Sequence, residues 1–441
     1  MSTKHFLCAA MSALSLATLA AAPLKFDVKT DPADAVATCG AKATFVVTIS
    51  NADGSRATNG LVKAFLDNFG PKQLAAAEWD LAQTNVFALT GTLDAPGFLR
   101  IRFSPEPAQS ATGAKVWSVA FDPEKIRKGS PSPADFDAYW AAERARIRRE
   151  VPLDPQVERL PEASTKDYDF YRVSFATYGR RVHGFMSVPT DKSKAKFPVR
   201  IGVNAAGFGC WTNGLDARGD AICLQMSVYP FPMDLKWKEN GLQKTYDAMN
   251  DALCRKYGCT SGCWDAGISV SREEYFYHAV LLGIDRAVDW IVARPDADAS
   301  RVVYEGTSQG GGFGLYLTGL NHVFARAAFY VPAITDTMGY LQGRQSGWPS
   351  IVESNSGSPE AKATAAKWAP YFDGANFASR ITCPVRVAVG FSDTTCPPCA
   401  VYATYNEIRV KDKAILHGLG MTHDCFGDFY AQLGAWNRAA W

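Results

Sequence analysis

The chain has 441 residues, of which 47% are apolar and 20% are charged, and its formal net charge is +2 at pH 7. This length exceeds that of one ordinary domain and suits two or three, and the composition is typical of a globular protein with a sizeable core. A net charge this close to zero gives no electrostatic basis for binding nucleic acid or an anionic membrane surface.

The N-terminus has the features of a secretory signal peptide. Lys4 supplies a short basic start, and residues 6–22 are apolar and small and end in an alanine run before Pro23. This stretch is shorter than the ~20 apolar residues that a membrane-spanning helix needs, and no later stretch is long enough either. We therefore expect residues 1–21 to be removed, no membrane span, and a mature chain that is secreted or periplasmic.

The chain contains 11 cysteines, and ten remain when Cys8 of the predicted signal peptide is set aside. An even number of cysteines in an exported protein favours disulfide bonds. They concentrate in two clusters, namely Cys254, Cys259 and Cys263, and Cys396-Pro-Pro-Cys399. The second cluster follows a predicted strand and an acidic turn, so we assign it a structural role and not a redox role. No His or Cys pair at ligand spacing faces either cluster in sequence, so no metal site is predicted.

Residues 24–122 show the two-residue periodicity of β-strands. Apolar side chains occupy alternate positions, and turn residues such as Asn51-Ala-Asp-Gly54 separate the stretches. The clearest examples are Ala43, Phe45, Val47 and Ile49, and later Leu99, Ile101 and Phe103. Short alternating strands separated by turns predict a small, all-β, immunoglobulin-like sandwich. We find no catalytic constellation in it and expect it to support its neighbour.

A proline-containing, charged linker at 123–133 separates this sandwich from a second predicted domain at 131–441. The second domain opens with a helix, because Phe136, Trp140 and Ile147 fall at helical spacing and present one apolar face. Beyond it, predicted strands alternate with predicted helices, which is typical of a mostly parallel sheet covered on both faces. The predicted fold class is therefore α/β.

The elements of this second domain follow from their local patterns. The predicted strands are Phe170–Phe175 and Val182–Val188, joined as a hairpin, then Pro198–Val203, Ala221–Val228, Arg301–Tyr304, Val385–Val389 and Ala414–Leu416. One predicted helix begins at Ser271, where Glu274 completes a capping box, and another spans Tyr402 to Val410. The long segment 207–270 lies between core elements and is expected to cover a site.

The sequence Gly306-Thr-Ser308-Gln-Gly310 lies between a predicted strand and a predicted helix, which is the context of a nucleophile elbow. The serine of such an elbow occupies a strained turn, and glycines on both sides avoid clashes with the strand and the helix. The N-terminus of the following helix favours a developing oxyanion. A phosphate-binding loop would need Lys beside Ser or Thr at its end, and none occurs here. We therefore predict that Ser308 is a nucleophile.

A serine nucleophile needs a histidine base, and the histidine needs a carboxylate that fixes its tautomer. In a fold with this elbow the chain order is Ser, acid, His. The predicted acid is Asp393, because it follows the apolar strand Val385–Val389 directly. Asp373 and Asp412 are alternatives, although neither directly follows a strand.

The base must lie beyond the next strand, where only His417 and His423 occur. His417 abuts that strand and suits a structural role. His423 lies on the loop that follows, just before the final predicted helix, and is the predicted base.

Two backbone N–H groups must stabilise the oxyanion. Gln309, directly after the serine, is predicted to supply one. The second is expected from the loop Asn204-Ala-Ala-Gly207, where Ala206 is the predicted donor and Gly207 the alternative.

Residues 131–435 resemble the acetyl xylan esterase and cephalosporin-C deacetylase family, carbohydrate esterase family seven. The matching motifs are Gly306-Thr-Ser308-Gln-Gly-Gly311, Asp393-Thr-Thr-Cys-Pro-Pro398 with Tyr405-Asn406, His423-Asp424, and the opening Asp135-Phe-Asp-Ala-Tyr-Trp140. The oxyanion loop departs from the family's His-Gly-Tyr-Asn-Gly, and the sandwich is not part of the short members. The resemblance implies an α/β-hydrolase fold and a Ser-His-Asp esterase mechanism.

The expected function is therefore removal of acetyl groups from acetylated xylan or related oligosaccharides, with no metal and no organic cofactor. Trp211 and Trp264 in the long segment are candidate sugar-stacking residues. One alternative is an esterase or peptidase of other specificity on the same fold. The other is a non-catalytic carbohydrate-binding protein. The intact Ser308, Asp393 and His423 argue against it, because a substituted triad residue would be expected in such a protein.

Overall fold

A computed structural model describes residues 23–106, 111–113, 115–207, 217–354, 358–424 and 427–441. The predicted signal peptide at 1–21 lies outside these ranges. Among the helices of the described ranges, none is long and apolar enough to cross a bilayer.

The N-terminal region forms two packed β-sheets, as the alternating pattern predicts. Its strands are β1 (Leu24–Asp31), β2 (Val36–Ala37), β3 (Ala43–Asn51), β4 (Leu61–Asp67), β5 (Gln73–Asp80), β6 (Val86–Gly91), β7 (Gly97–Glu106), β8 (Ala111–Gly113) and β9 (Val116–Phe121). Within the described residues, the first sheet has the order β6-β3-β1-β8 and the second has the order β2-β9-β7-β4-β5. Most neighbours pair antiparallel, whereas β8 joins β1 and β2 joins β9 in parallel.

Aromatic side chains fill the space between these two sheets. Phe26 on β1 stacks on Phe103 of β7 with ring centroids 4.9 Å apart. Trp79 on β5 stacks on Phe87 of β6 at 4.8 Å. The alternate residues of β3 are buried as predicted, with Phe45 fully buried. The alternate apolar residues of the sequence therefore form the inner face of the sandwich.

The second region is built on a larger, mostly parallel sheet. Its strands are β10 (Gln156–Arg159), β11 (Tyr168–Thr177), β12 (Arg180–Pro189), β13 (Phe197–Val203), β14 (Ile222–Ser227), β15 (Ala297–Thr307), β16 (Arg326–Tyr330), β17 (Val385–Gly390) and β18 (Lys413–Gly418). In the described part of the chain these nine strands have the order β10-β11-β12-β14-β13-β15-β16-β17-β18. The first three pairings are antiparallel and the remaining five are parallel. Both the predicted hairpin and the predicted parallel sheet are confirmed.

Helices cover both faces of this sheet. They are α1 (Phe136–Glu150), α2 (Leu242–Tyr257), α3 (Phe276–Val292), α4 (Gln309–Leu320), α5 (Pro359–Trp368), α6 (Gly374–Ala378), α7 (Pro398–Glu407) and α8 (Asp428–Arg438). Tyr304 of β15 contacts α4, since its hydroxyl donates to the Gly310 carbonyl at 2.5 Å. Its neighbour Glu305 instead accepts a hydrogen bond from Asn437 of α8 at 3.1 Å. Because adjacent strand residues point to opposite faces, α4 and α8 lie on opposite sides of the sheet.

Helix α3 begins five residues later than the capping box predicts. The backbone N–H of Glu274 does donate to the Ser271 hydroxyl at 3.0 Å, but the Glu274 carboxylate accepts from the Tyr257 hydroxyl at 2.6 Å instead of returning to the Ser271 backbone. The backbone N–H of Phe276 donates to the Ala266 carbonyl at 3.0 Å. This tertiary contact separates the Ser271 turn from the helix, so the predicted start at Ser271 is wrong.

Helix α7 begins four residues and ends three residues earlier than predicted. It begins at Pro398, where a proline suits the first turn because its ring fixes φ and its missing N–H would have no partner there. It ends at Glu407 because the Lys413 ammonium donates to the Tyr405 and Ile408 carbonyls at 3.0 and 2.7 Å. These bonds satisfy the carbonyls at the end of the helix. The predicted span Tyr402 to Val410 is therefore wrong at both ends.

Candidate active site

Ser308 occupies the sharp turn between β15 and α4. Its backbone has φ 55° and ψ −119°, a conformation that costs energy for any residue with a Cβ. A Cβ on Gly306 would lie 2.4 Å from the Gly310 carbonyl oxygen, and a Cβ on Gly310 would lie 2.1 Å from the Val203 carbonyl oxygen. Both glycines are therefore required by close backbone approach, as the elbow motif predicts.

The strained turn is fixed by backbone hydrogen bonds from neighbouring elements. The Ser308 N–H donates to the Tyr330 carbonyl of β16 at 2.8 Å. The Ser308 carbonyl accepts from the N–H groups of Gly312 and Ala333 at 3.0 and 2.9 Å. Helix α4 begins at the next residue, so its N-terminal N–H groups and the positive end of its dipole face the side-chain oxygen of Ser308.

The structure brings the side chains of Ser308, His423 and Asp393 together in one hydrogen-bonded chain. His423 Nε2 lies 3.0 Å from Ser308 Oγ, and His423 Nδ1 lies 2.8 Å from Asp393 Oδ2. Because a carboxylate oxygen can only accept, Nδ1 must carry the proton, and the lone pair of Nε2 then faces the serine hydroxyl. This is the arrangement in which an imidazole removes the proton of an attacking hydroxyl.

Asp393 is fully buried, and its second oxygen is also satisfied. Asp393 Oδ1 accepts hydrogen bonds from the backbone N–H groups of Thr395 and Cys396, each at 2.8 Å. These bonds leave Oδ2 directed at the imidazole. The carboxylate is thus held in one orientation by the turn that follows it, which compensates for the burial of its charge.

The loops after β17 and β18 meet because these strands are parallel neighbours at one edge of the sheet. The Ser392 N–H donates to the Met421 carbonyl at 2.9 Å, which ties the loop of the acid to the loop of the base. A Cβ on Gly390 would lie 2.5 Å from the Thr422 carbonyl oxygen, so the two loops are in close contact there. Two residues that are 30 positions apart therefore reach hydrogen-bonding distance.

The alternative acids and the alternative base have other partners. His417 Nε2 lies 2.5 Å from the Tyr402 hydroxyl, on the strand itself. Asp373 is buried and accepts from the backbone N–H groups of Asp336 and Thr337. Asp412 pairs with a guanidinium at 2.7 Å, at the start of β18.

The predicted oxyanion loop adjoins the elbow. The Gln309 side-chain amide donates to the Asn204 carbonyl at 3.2 Å, and the Tyr277 hydroxyl donates to Gln309 Oε1 at 2.5 Å. The N–H of Gly207 is already used, because it donates to the Tyr229 hydroxyl at 3.1 Å. This contact argues against Gly207, the alternative donor, and Ala206 stays the predicted one. Tyr277, which fixes the Gln309 side chain from helix α3, has no sequence motif and was missed.

Of the two tryptophans predicted to contact sugar, the structure describes one. Trp211 lies outside the described residues. Trp264 is half-buried, and its ring packs against Trp348 with centroids 4.9 Å apart. Its carbonyl accepts from the Tyr275 hydroxyl at 2.9 Å. Trp264 therefore has a packing contact, and its role towards sugar stays a prediction.

The thiol of Cys396 lies beside the hydrogen-bonded chain, a neighbour that the sequence did not assign to the site. Ligand-capable atoms of Asp393, Cys396 and His423 all lie within 4.8 Å of one another, the one such group found among the described residues. A metal ion here would compete for the oxygen and nitrogen atoms that already join the acid to the imidazole. Burial raises the pKa of the Cys396 thiol well above its usual range. In this structure the acid and the imidazole of this group are joined directly by the hydrogen bond between Asp393 Oδ2 and His423 Nδ1.

Among the cysteines of the described ranges, those of the two predicted clusters are free thiols, so the expected disulfide bonds are not found there. Cys396 and Cys399 are both buried free thiols, and burial raises the pKa of Cys399 to about 11. Cys254, Cys259 and Cys263 are also free, although the sulfur atoms of Cys254 and Cys259 lie only 3.7 Å apart.

Comparisons with known proteins identify the family of this chain. Residues 122–438 match the family described as Acetyl xylan esterase (AXE1). The chain is 30% identical over 335 residues to the acetyl esterase Axe7A of Xylanibacter ruminicola, across 74% of this chain and 71% of that protein.

Two solved structures share the fold. An acetyl xylan esterase from a Paenibacillus species has a TM-score of 0.59 and 22% identity, covering 72% of this chain and 98% of its own. Acetyl xylan esterase 1 from a Thermoanaerobacterium species has a TM-score of 0.58 and 20% identity, with the same coverage. The family match, the relative and the shared fold together establish that this chain belongs to the acetyl xylan esterase family and is a carboxylic ester hydrolase of the α/β-hydrolase fold, with a small β-sandwich in front.

Proposed function

We propose that this protein removes acetyl groups from acetylated xylan or related oligosaccharides, with Ser308 as nucleophile, His423 as base and Asp393 as the acid that orients it. The proposal rests above all on one observation, the unbroken hydrogen-bonded chain of Ser308, His423 and Asp393 at 3.0 and 2.8 Å. The strained backbone of Ser308 supports the same assignment, because it holds the hydroxyl clear of the strand and the helix.

The proposed reaction runs in two halves. The Ser308 oxygen attacks the acetyl carbonyl while His423 Nε2 takes its proton, and the same nitrogen then returns the proton to the departing sugar oxygen. Water next attacks the acetylated serine with His423 again as base, which releases acetate and restores the hydroxyl. Asp393 stays ionised throughout and stabilises the imidazolium.

Backbone N–H groups stabilise the negative oxygen of each tetrahedral intermediate in this proposal. One is that of Gln309 at the N-terminus of α4, and the other is that of Ala206. The hydrogen bond between the Gln309 side chain and the Asn204 carbonyl supports this pairing, because it holds the two backbone segments side by side. The amide of Gly207 is already committed to Tyr229 and is left out of the oxyanion hole.

The substrate class follows from the relatives. The matching family is described as acetyl xylan esterase, and the curated relative is an acetyl esterase. We also propose that the protein is exported, on the strength of the basic start and short apolar stretch before Pro23. Export would place the enzyme where acetylated plant polysaccharides occur.

A panel of substrates tests this proposal. Acetate release is measured from acetylated xylan, from acetylated xylo-oligosaccharides, from an aryl acetate and from the matching aryl butyrate, with a peptide library alongside. We expect acetate release from the first three, slower cleavage of the butyrate and no peptide cleavage. Ser308→Ala is the control, and it should abolish every hydrolysis while leaving the circular dichroism spectrum unchanged.

Each outcome has a clear meaning. Peptide cleavage without acetate release would replace the proposal by a peptidase. Binding of xylan without any hydrolysis would indicate a carbohydrate-binding protein. Activity of Ser308→Ala above a few per cent of the parent would disprove the nucleophile assignment, since loss of a triad residue normally costs several orders of magnitude.

A further inference from the structure

We propose that the N-terminal sandwich positions the catalytic acid and base, with Trp117 and Ser118 of β9 as positioning residues. The inference rests on the proposed triad and assigns the sandwich a role in its alignment. It follows from contacts that the second sheet of the sandwich makes with the two loops that carry Asp393 and His423. The sandwich and the large sheet also share one contiguous cluster of buried apolar side chains.

The first contact is with the base loop. The ring of Trp117 lies directly against Gly420, three residues before His423, so closely that a Cβ on Gly420 would lie 2.1 Å from the ring. Gly420 also has φ +66°, a left-handed conformation that favours glycine. The indole therefore packs against the turn at Gly420, from which the chain continues to His423.

The second contact is with the acid loop. The Ser118 hydroxyl, which is fully buried, donates a hydrogen bond to the Phe391 carbonyl, two residues before Asp393. The ring of Phe98 on β7 packs edge-on against the ring of Phe391 with centroids 5.1 Å apart. Ser118 and Phe98 share one face of the second sheet, because Ser118 pairs with Arg100 and Arg100 is two residues from Phe98.

A third contact holds the acid loop on its other side. The Phe69 carbonyl, after β4, accepts a hydrogen bond from the Gln345 N–H at 2.7 Å. The side-chain amide of Gln345 in turn donates to the Thr394 carbonyl at 2.8 Å, one residue after Asp393. The acid is thus bracketed by two links that originate in the sandwich.

These links matter because Asp393 and His423 both lie on loops, beyond the last residues of β17 and β18. The bond from Ser392 to Met421 ties the loops to each other but not to a rigid element. Proton transfer requires the imidazole to stay within a fraction of an ångström of the serine oxygen, and rigid packing behind such residues is what maintains that alignment. The sandwich sheet provides such a rigid surface for both loops.

The test compares two tryptophans of the sandwich. Trp117→Ala removes the contact with the base loop. Trp79→Ala is the matched control, because Trp79 is buried between the sandwich sheets, where its ring packs against Phe87 and Phe103 of the sandwich itself. Trp117→Phe tests rescue by another ring, and Ser118→Ala removes the hydrogen bond to the acid loop. All are measured in the full chain on an aryl acetate below the unfolding temperature.

We expect Trp117→Ala to lower kcat about tenfold with KM within about twofold, because a small displacement of the base weakens proton transfer more than substrate binding. Trp117→Phe should recover most of kcat, and Ser118→Ala should lower kcat about threefold on the same argument. Trp79→Ala should lower the melting temperature while kcat stays within about twofold of the parent. Equal losses of kcat in Trp117→Ala and Trp79→Ala, or an unchanged kcat in Trp117→Ala, would overturn the proposal.

A second readout separates this inference from the choice of substrate. Fluorophosphonates react covalently with an activated serine, expelling fluoride as the serine oxygen bonds to phosphorus, whatever the natural ester. The rate of this reaction should fall in Trp117→Ala by the same factor as kcat and stay near the parent rate in Trp79→Ala. If the parent protein reacts rapidly with the fluorophosphonate but deacetylates no glycan, the proposed substrate is wrong. The positioning role is then decided by the labelling rates of the two tryptophan variants alone.

Discussion

The sandwich and the active site each contain a buried carboxylate, and the two carboxylates have different partners. In the sandwich, the buried carboxylate of Asp67 is paired with the guanidinium groups of Arg100 and Arg102, each at 2.7 Å, and the pairing ties the neighbouring strands β4 and β7 together. In the hydrolase region, the buried carboxylate of Asp393 is bonded to backbone N–H groups on one side and to an imidazole on the other. The first arrangement neutralises a charge, whereas the second keeps a charge available for a proton-transfer partner.

The two regions also differ in where their polar side chains lie along the strands. Asp67 on β4 lies opposite Arg100 on β7, and Arg102 lies two residues further along β7, so all three are within the sheet. Ser308, Asp393 and His423 all follow the carboxyl end of a parallel strand. Parallel strands gather their carboxyl ends at one edge, which is where open α/β sheets bind ligands. The candidate catalytic side chains are therefore concentrated where the chain leaves the parallel sheet, and four experiments test this difference between the two regions.

The largest effect is expected at the base. His423→Ala should reduce kcat by roughly 10⁶-fold, because the serine loses its proton acceptor. His417→Ala, on the strand that precedes this loop, should retain kcat within about fivefold, since His417 Nε2 is hydrogen-bonded to the Tyr402 hydroxyl and not to the serine. Steady-state kinetics on an aryl acetate decide between them. A severe loss in His417→Ala with an active His423→Ala would exchange the two assignments.

Substitution of two buried acids of the hydrolase region distinguishes a role in catalysis from a role in stability. Asp393→Asn should lower kcat by roughly 10⁴-fold with little change in stability, because the amide no longer fixes the correct imidazole tautomer. Asp373→Asn should instead lower the free energy of unfolding by about 1–3 kcal/mol, since Asp373 accepts several buried hydrogen bonds. Kinetics and urea unfolding are measured on both variants. Loss of catalysis in Asp373→Asn alone would make it the acid.

A core substitution in the sandwich tests whether the two regions unfold together. Phe45 is fully buried in the sandwich, so Phe45→Ala should lower stability by about 3–5 kcal/mol through the cavity it leaves. Because one apolar cluster joins both regions, we expect a single unfolding transition that moves to lower temperature, with kcat at 25 °C little changed. Calorimetry gives the answer. Two separate transitions, of which only one shifts, would show that the regions are energetically independent.

The smallest effect is expected from thiol alkylation, which compares one cysteine of each region. Burial, with the nearby Asp122 carboxylate, raises the pKa of Cys39 in the sandwich to about 11. At pH 8 this thiol is protonated and should react slowly with iodoacetamide, and the rate should rise as the pH approaches 11. Cys396, which is fully buried, should stay unlabelled until the protein is unfolded. Mass spectrometry of labelled peptides and residual activity are the measurements. Rapid labelling of Cys396 with loss of activity at pH 8 would contradict this burial.

Most strands were predictable because their hydrophobic periodicity is strong. The alternation at Phe45 and Val47 predicted the sandwich, and the apolar run Val385–Val389 predicted β17. Helix limits were less predictable, since the start of α3 depends on the bond from Phe276 to Ala266 and the end of α7 depends on Lys413. Each partner lies outside the helix whose limit it sets, and no local sequence pattern indicates the contact.

Local patterns predicted the turn at Ser308, the chain order of serine, acid and base, and the class of the main strands and helices, because glycine spacing and periodicity are local properties. Elements such as β16 and α5 were not predicted, and it is tertiary packing that brings Asp393 and His423 to the serine and holds their loops in place. The contact of Trp117 with Gly420 and the link from Gln345 to Thr394 join residues from distant parts of the chain. Such contacts depend on how two sheets pack, and packing is a property of the whole chain that no single stretch of residues encodes.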